Sequence, residues 1–184
     1  MLTIQMSEQE LVKRLQRGDA EAPHLLYTRY VRYLTAVCAR YITNDEDVRD
    51  ILQDSFLRIF SSFPAFVYRG EGSLRAWLTR IVVNEALKWL RDSHILWQDI
   101  DGMEDIPDEE PDTTGVPTEL IYKLIRALPD GYRTVFNLYV IEGKSHKEIA
   151  DLLHITESTS ASQLHRAKAL LAKWIKQYPA NNAL

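Results

Sequence analysis

The chain has 184 residues, of which 46% are hydrophobic and 26% are charged, and this composition is typical of a globular protein with one domain or two small ones. It contains no run of about 18 apolar residues, and its amino terminus lacks the basic and then apolar pattern of a signal peptide. We therefore expect a cytoplasmic protein with no direct membrane insertion. The single cysteine, Cys38, excludes an internal disulfide and a cysteine-cluster zinc site.

The formal net charge of -4 argues at first against a nucleic-acid partner. The charge is unevenly distributed, however, because residues 99–112 contain eight acidic side chains and no basic one. The remainder of the chain therefore carries a net positive charge, and both ends can approach DNA although the whole chain is acidic.

The amino-terminal part begins with two predicted helices. Ser7 and Glu10 form a capping box ahead of a short first helix, which Gly18 is expected to end. Asp19 is expected to cap the second helix, whose apolar and aromatic residues stay near one face as far as about Ile42. Both helices are therefore expected to bury one side in a helical domain.

A third helix is expected to open at Asn44, with an apolar side that recurs every three or four residues. Acidic residues near a helix start are favoured by the helix macrodipole, which is one explanation of the acidic cluster that follows. A protein-binding face that attracts basic side chains is the other explanation, and the pattern alone does not choose between them. The cluster lies in the first half of the helix and consists of Asp45, Glu46, Asp47, Asp50 and Asp54.

Residues 63–72 are predicted to form a loop, although three of them are aromatic. Ser73 is expected to cap a long helix to about Ser93. A basic helix beside an aromatic loop suits single-stranded or locally melted nucleic acid, because cations follow the backbone and aromatic rings stack on unpaired bases. A solvated helix face beside a loop that merely covers the core fits the same pattern. The polar side of the helix carries Arg75, Arg80, Asn84, Lys88 and Arg91.

Acidic side chains, prolines and glycines predict a flexible linker at 96–116. This linker separates an amino-terminal domain at 1–95 from a carboxy-terminal domain at 117–184. Neither part shows a convincing strand pattern or an internal repeat. The predicted fold class is therefore all-α, with two small helical domains joined by an acidic flexible linker, the second of them a helix-turn-helix.

Residues 144–174, KSHKEIADLLHITESTSASQLHRAKALLAKW, predict two helices and a tight turn. Ser145 and Glu148 form a capping box, His154 lies in the turn, and Thr156 starts the second helix. This is the layout of a helix-turn-helix, whose second helix enters the major groove. A plain helical hairpin with a solvated polar face fits the pattern as well. The polar residues that can bond base edges or phosphates are Ser158, Thr159, Ser162, Gln163, His165 and Arg166.

Catalytic and metal-binding motifs are absent from the sequence. It has no glycine-rich phosphate loop, no H-E-x-x-H motif and no metal-ligand spacing among its five histidines. The carboxylates lie in the linker or at helix starts, where a closed pocket is not expected. We therefore predict that the protein is not an enzyme and has no catalytic residue, metal, cofactor or small-molecule substrate.

Four segments, in this order, resemble the extracytoplasmic-function group of bacterial RNA polymerase sigma factors. They are LVKRLQRGDAEA, DEDVRDILQDSFLRIF, YRGEGSLRAWLTRIVVNEAL and LPDGYRTVFNLYVIEGKSHKEIADLLHITESTSASQLHRAKALL. The resemblance implies a factor that binds core RNA polymerase, directs it to promoter DNA and assists melting at transcription initiation. It also implies an anti-sigma factor as a further partner, and a linker whose negative charge imitates a nucleic-acid strand inside the polymerase.

The resemblance also implies roles for individual residues. The domain at 1–95 is similar to sigma region 2, which binds the polymerase and melts the minus-ten element, and the domain at 117–184 is similar to region 4, which reads the minus-thirty-five element through the last hairpin. The contact with the clamp helices of the largest polymerase subunit falls on Asp50, Gln53, Asp54 and Phe56. The minus-ten contact, which includes a flipped non-template base, falls on Tyr68, Arg69, Arg80, Asn84 and Lys88.

The last hairpin departs from the family pattern. Glycine, valine and a basic pair are frequent in the family where this chain has Ser158, Ser160, Ala161 and Gln163. Glycine is also frequent at the turn, where this chain has His154. We expect fewer phosphate contacts from this helix, and specific contact through Gln163, His165 and Arg166.

Two other functions fit parts of the sequence. A stand-alone helix-turn-helix transcriptional regulator would bind a duplex site by itself, usually as a dimer. A helical adaptor or anti-factor would bind proteins only. The long first domain without a ligand pocket disfavours the regulator, and the lysines and arginines of the last two helices disfavour the adaptor.

Overall fold

The computed structural model describes residues 6–93 and 111–177. Within these ranges the regular elements are helices and no strand occurs, so the all-α prediction is confirmed. The chain divides into two compact units, Met1–Trp89 and Leu90–Leu184, each described separately below. Most of the predicted linker lies outside the described residues. No helix in the described parts is long and apolar enough to cross a membrane.

The first unit is built from four α-helices, and two of their starts follow the predicted caps. The Ser7 hydroxyl accepts a hydrogen bond from the Glu10 N–H at 3.1 Å. The Asn44 side chain accepts bonds from the Glu46 and Asp47 N–H groups at 2.8 and 3.2 Å. The helices are α1 (Glu8–Gln16), α2 (Ala22–Cys38), α3 (Asp45–Ser62) and α4 (Ser73–Asp92), with a short 3-10 turn (Phe63–Ala65) after α3.

The bounds of α2 differ from the prediction at both ends. Asp19 does not cap the helix, because its carboxylate accepts the Glu21 N–H at 2.9 Å in the turn before it. The helix ends at Cys38, whose carbonyl accepts the N–H groups of Tyr41 and Ile42. These last two side chains are nevertheless buried, so the apolar pattern continues past the end of the helix.

The core of the first unit consists of aliphatic side chains from all four helices. Burial of one such side chain contributes about 1.5–3 kcal/mol, so this core is the main source of stability for the unit. Cys38 lies in it with no exposed surface, and burial raises the pKa of its thiol to about 12. Fully buried members include Leu11, Leu26, Leu34, Ile59, Leu74, Leu78 and Leu87.

The second unit begins with α5 (Thr118–Ala127) and α6 (Asp130–Phe136), which a π-helical turn (Asn137–Ile141) extends. The hairpin follows as α7 (His146–Leu153) and α8 (Glu157–Gln177). The predicted capping box is confirmed, because Ser145 and Glu148 bond each other's backbone N–H. His154 ends α7 at φ 57°, the left-handed conformation that glycine adopts without strain.

A buried arginine that the sequence analysis did not single out joins α5 to α6. Arg133 is only 2% exposed, and its guanidinium donates to the Leu128 carbonyl at 2.7 Å and to the Asp130 carboxylate. The bond to Leu128, the residue after α5, ties the end of that helix to α6, whereas Asp130 lies on the same helix as Arg133.

The capping box of α7 yields a prediction about stability. Ser145→Ala removes the hydroxyl that accepts the Glu148 N–H, and we expect a loss of about 1 kcal/mol in the free energy of unfolding. Urea unfolding followed by circular dichroism measures the change. Ser162→Ala, at an exposed position inside α8, is the control and should not lower the midpoint, because alanine favours a helix interior more than serine does. Equal midpoints for both variants would contradict the capping role.

The buried thiol yields a second prediction. Because Cys38 is inaccessible and its pKa is about 12, the thiolate that attacks disulfide reagents is scarce at about pH 8. We expect Ellman's reagent to leave the native protein unmodified and to react once per chain after denaturation. Fast stoichiometric reaction without denaturant would contradict this account of the core.

Candidate functional site

An aromatic cluster fixes the loop between α3 and α4. The ring centroids of Phe63 and Phe66 lie 5.7 Å apart, and that of Trp77 lies 6.1 and 4.9 Å from them. Both phenylalanines are buried. Such tilted and edge contacts between aromatic rings are favourable beyond their buried area, so the loop is held against the first turns of α4.

A pocket opens beside this cluster, with a volume of about 470 Å³. Its wall combines an aromatic ring, Trp77, with the two guanidinium groups of Arg69 and Arg80. The volume lies within the ~300–1,000 Å³ typical of small-ligand sites. An aromatic ring next to two cations can receive a planar base and the phosphate attached to it. The remaining lining residues are Ala65, Phe66, Val67, Ser73 and Ala76.

The predicted minus-ten residues lie in and beyond this pocket. Arg69 and Arg80 line it. Asn84 and Lys88 are exposed and follow Arg80 at intervals of four residues, so they extend the same face of α4. Tyr68 is half-buried and does not belong to the pocket wall; desolvation and the nearby Glu71 raise the pKa of its hydroxyl.

Hydrogen bonds inside the loop hold the approach to α4. The Ser73 hydroxyl accepts the Arg69 N–H at 3.2 Å and donates to the Gly70 carbonyl at 2.6 Å. Gly70 and Gly72 adopt φ values of 118° and 86°, which side chains with a Cβ rarely adopt. The conformation of the loop is therefore held by its own hydrogen bonds and by two glycines.

A larger groove of about 810 Å³ runs between α2 and α3. Two of its apolar side chains are unusually exposed, Leu57 by 64% and Tyr27 by 46%. Large exposed apolar side chains beside a charged helix face are typical of protein-docking surfaces. The apolar lining consists of Tyr27, Val31, Val48, Leu52, Phe56, Leu57 and Phe60.

Of the residues predicted to contact the polymerase, Gln53 and Phe56 line this groove. Asp50, Gln53 and Asp54 are exposed along α3, and Gln53 also lines the groove. Phe56 is only 6% exposed, and its ring lies 4.8 Å from that of Tyr27 in the groove wall. The structure therefore brings an acidic strip and an apolar groove together on one helix.

A polar groove of about 590 Å³ joins the predicted polymerase and DNA surfaces, since Asp54 of α3 and Lys88 of α4 both line it. Between them, Arg58 forms an ion pair with Glu85 at 3.0 Å. No sequence motif indicated this ion pair. Its position shows that the acidic face of α3 and the basic face of α4 are neighbours.

The predicted minus-thirty-five residues have different surroundings on α8. Ser158, Ser162 and His165 are exposed, and Thr159 is half-buried. The Gln163 amide oxygen is buried, and within the described part of the chain it has no hydrogen-bond partner. Arg166 is half-buried and donates to the Tyr132 hydroxyl at 3.3 Å. Gln163 and Arg166 therefore lie deeper in the unit than an outward position suggests.

The departure at Ser160 has a local compensation. Its side chain is fully buried between α7 and α8, and its hydroxyl lies 2.9 Å from His146 Nδ1. The His146 ring stacks on Tyr139 at 4.7 Å. A polar side chain in an apolar position is tolerated when it finds such a partner. No local pattern indicates the roles of His146 and Tyr132, because their partners lie 14 and 34 residues away along the chain.

The described residues contain no group of three or more histidine, cysteine, aspartate or glutamate side chains that could hold a metal ion. The two units present a pocket of about 470 Å³ beside a basic ridge, an apolar groove with an acidic edge, and a helix-turn-helix.

Comparison with known proteins gives matches to both units. The family described as Sigma-70 region 2 matches residues 26–94, and Sigma-70, region 4 matches residues 118–171. The first match includes the groove and the pocket, and the second includes the helix-turn-helix.

Curated relatives cover almost the whole chain. The ECF RNA polymerase sigma-E factor of Salmonella typhimurium is 30% identical over 178 residues, 89% of this chain and 92% of that protein. The factor of the same name in Haemophilus influenzae is 29% identical and covers 94% and 97% of the two chains. The RNA polymerase sigma-H factor of Pseudomonas aeruginosa is 29% identical, with coverage of 94% and 95%.

Proposed function

The chain belongs to the extracytoplasmic-function (ECF) sigma factors of the sigma-70 family, and from this premise we propose that it binds core RNA polymerase, directs it to specific promoters and assists promoter melting. One observation carries the proposal: a single chain holds a region 2 unit with a base-sized pocket and a region 4 unit with a helix-turn-helix. The protein acts in the cytoplasm, with the polymerase, and makes or breaks no covalent bond itself.

The pocket of the first unit is proposed to receive a flipped base of the minus-ten element. Unstacking a base costs a few kcal/mol, and stacking on an aromatic ring returns about 1–3 kcal/mol. Trp77 supplies such a ring, and Arg69 and Arg80 supply charge for the phosphates. Asn84 and Lys88 continue the contact along α4.

The polymerase is proposed to bind along α3. Asp50 and Asp54 offer exposed carboxylates to basic side chains, and the groove beside Gln53 offers apolar surface. Charge complementarity steers association and fixes orientation, whereas the buried apolar contact supplies affinity. Family membership also leads us to propose an anti-sigma factor as an inhibitory partner.

The minus-thirty-five element is proposed to bind α8. The side chains of Ser158, Ser162 and His165 are exposed near its start, and the Ser158 hydroxyl lies 2.8 Å from that of Thr156. Gln163 and Arg166 are already packed against their own unit, so their base contacts require a change of rotamer. Readout by α8 therefore combines exposed side chains with side chains that must first leave the packing of their own unit.

The proposal is tested by run-off transcription with purified bacterial core polymerase, the protein and a pool of genomic promoter fragments. We expect specific transcripts that require the protein. The stand-alone regulator becomes the better account if the polymerase gains no specificity while the protein alone shifts duplex DNA.

The acidic strip of α3 yields a prediction about polymerase affinity. We expect the double charge reversal Asp50→Lys and Asp54→Lys to weaken binding to core polymerase about tenfold or more, because it replaces attraction by repulsion. A pull-down at several concentrations measures the affinity. The control, Glu10→Lys with Glu21→Lys, makes the same change of charge at exposed positions away from α3. Unchanged affinity of the α3 variant would count against the assignment.

The start of α8 yields a prediction about promoter readout. We expect Arg166→Ala and Gln163→Ala each to lower promoter-specific binding by the holoenzyme by about 1–3 kcal/mol, the discrimination that one good base contact supplies. Footprinting on wild-type and altered minus-thirty-five elements measures it.

Tyr132→Phe is the matched control for this measurement, because it removes only the hydroxyl that holds Arg166 in the free protein. Promoter specificity should survive that change. Equal footprints for wild type and the two α8 variants would remove these residues from base readout.

A further inference from the structure

A buried carboxylate joins three helices of the first unit. Glu8, at the start of α1, is only 2% exposed. Its Oε1 accepts the Leu74 N–H of α4 at 2.9 Å, and its Oε2 accepts the Tyr30 hydroxyl of α2 at 3.1 Å. Burial of a carboxylate is costly unless both oxygens are hydrogen-bonded, and here both are.

The bond to Leu74 lies at the point where the loop becomes α4. The first N–H groups of a helix have no partner within the helix, and the helix dipole favours a negative charge beside them. Leu74 follows Ser73, whose hydroxyl bonds Arg69 and Gly70 of the loop. The contact with Glu8 and the bonds that shape the loop are therefore made by consecutive residues.

The surroundings keep the Glu8 side chain in place. Burial raises the pKa of the Tyr30 hydroxyl to about 12. The Glu8 carboxylate also raises this pKa, whereas Arg29 lowers it. The hydroxyl therefore stays protonated at neutral pH and can donate its hydrogen bond. The Arg29 guanidinium donates to the Met6 carbonyl at 2.7 Å and so fastens the chain just before α1. The contacts of Met6 and Glu8 therefore fix both the residues just before α1 and its first turn.

We propose that Glu8 is a positioning residue for the minus-ten pocket, an inference that rests on the proposed function. Glu8 does not line the pocket. It fixes the first turn of α4, and with it the relative placement of Arg69 on the loop and of Trp77 and Arg80 on the helix. Loss of the carboxylate leaves these groups present but displaced, and the pocket then discriminates poorly between bases.

The test measures open-complex formation by the holoenzyme on a promoter and on the same promoter with each minus-ten base substituted in turn. The readout is the ratio of the rates on the original and the substituted DNA. A merely structural loss of active protein lowers both rates in proportion and leaves this ratio unchanged. Displacement of the pocket lowers the ratio.

Glu8→Gln keeps the size of the side chain but replaces one acceptor by a donor. We expect it to lower the ratio about tenfold, in keeping with loss of a hydrogen bond to a charged group. Tyr30→Phe removes the second bond while leaving the carboxylate, and should lower the ratio by a smaller factor even if Glu8→Gln fails to fold. Glu10→Gln, two residues along α1 and exposed, is the control and should keep the wild-type ratio.

The outcomes distinguish failure of the positioning role of Glu8 from failure of the proposed function. Wild-type ratios in Glu8→Gln and Tyr30→Phe, or equal loss of both rates, would overturn the positioning role while the proposed function stands. Failure of the wild-type holoenzyme to open any promoter would overturn the proposed function, and this inference with it.

Discussion

The start of α4 is the point on which the first unit depends, because α1, α2 and the aromatic loop all meet there. The Leu74 N–H has no acceptor within α4 and instead donates a hydrogen bond to Glu8 of α1. The ring of Trp77, one turn later, holds the loop through Phe66. From the same helix, buried leucines enter the core while Arg80 faces the pocket. One helix thus connects the packed core to the surface that is proposed to bind DNA.

The cost of opening DNA explains why the first unit needs a binding surface in addition to the pocket. Opening DNA costs about 1.4 kcal/mol for each base-pair step, whereas one base stacked on an aromatic ring returns about 1–3 kcal/mol. One pocket therefore cannot hold several base pairs open. In the proposed function, the groove between α2 and α3, with the exposed Leu57, is the docking surface through which polymerase contacts add to the balance. The helix-turn-helix is proposed to fix where on the DNA the pocket acts.

Local signals explain which parts of this account were predictable from the sequence. The starts of α3 and α7 were predicted correctly because Asn44 and Ser145 cap them through hydrogen bonds to residues only two or three positions later in the sequence. The predicted end of α2 was wrong because an apolar pattern does not distinguish a helix from a turn. Tyr41 lies in a turn after the helix and is nevertheless buried in the core. Glu8 was missed because its partner is 66 residues away. The burial of the Gln163 amide oxygen likewise depends on tertiary packing, which the spacing of apolar residues along the sequence does not predict.

Capture of one unpaired base is the central claim, and site-specific crosslinking tests it most directly. Val67 lines the pocket and is 67% exposed, so a benzophenone amino acid in its place leaves the core intact. The holoenzyme carrying this residue is irradiated on promoter DNA, and the crosslinked nucleotide is mapped. The account predicts one position in the non-template strand of the minus-ten element. Crosslinks only to duplex DNA outside that element, or only to polymerase, would contradict it.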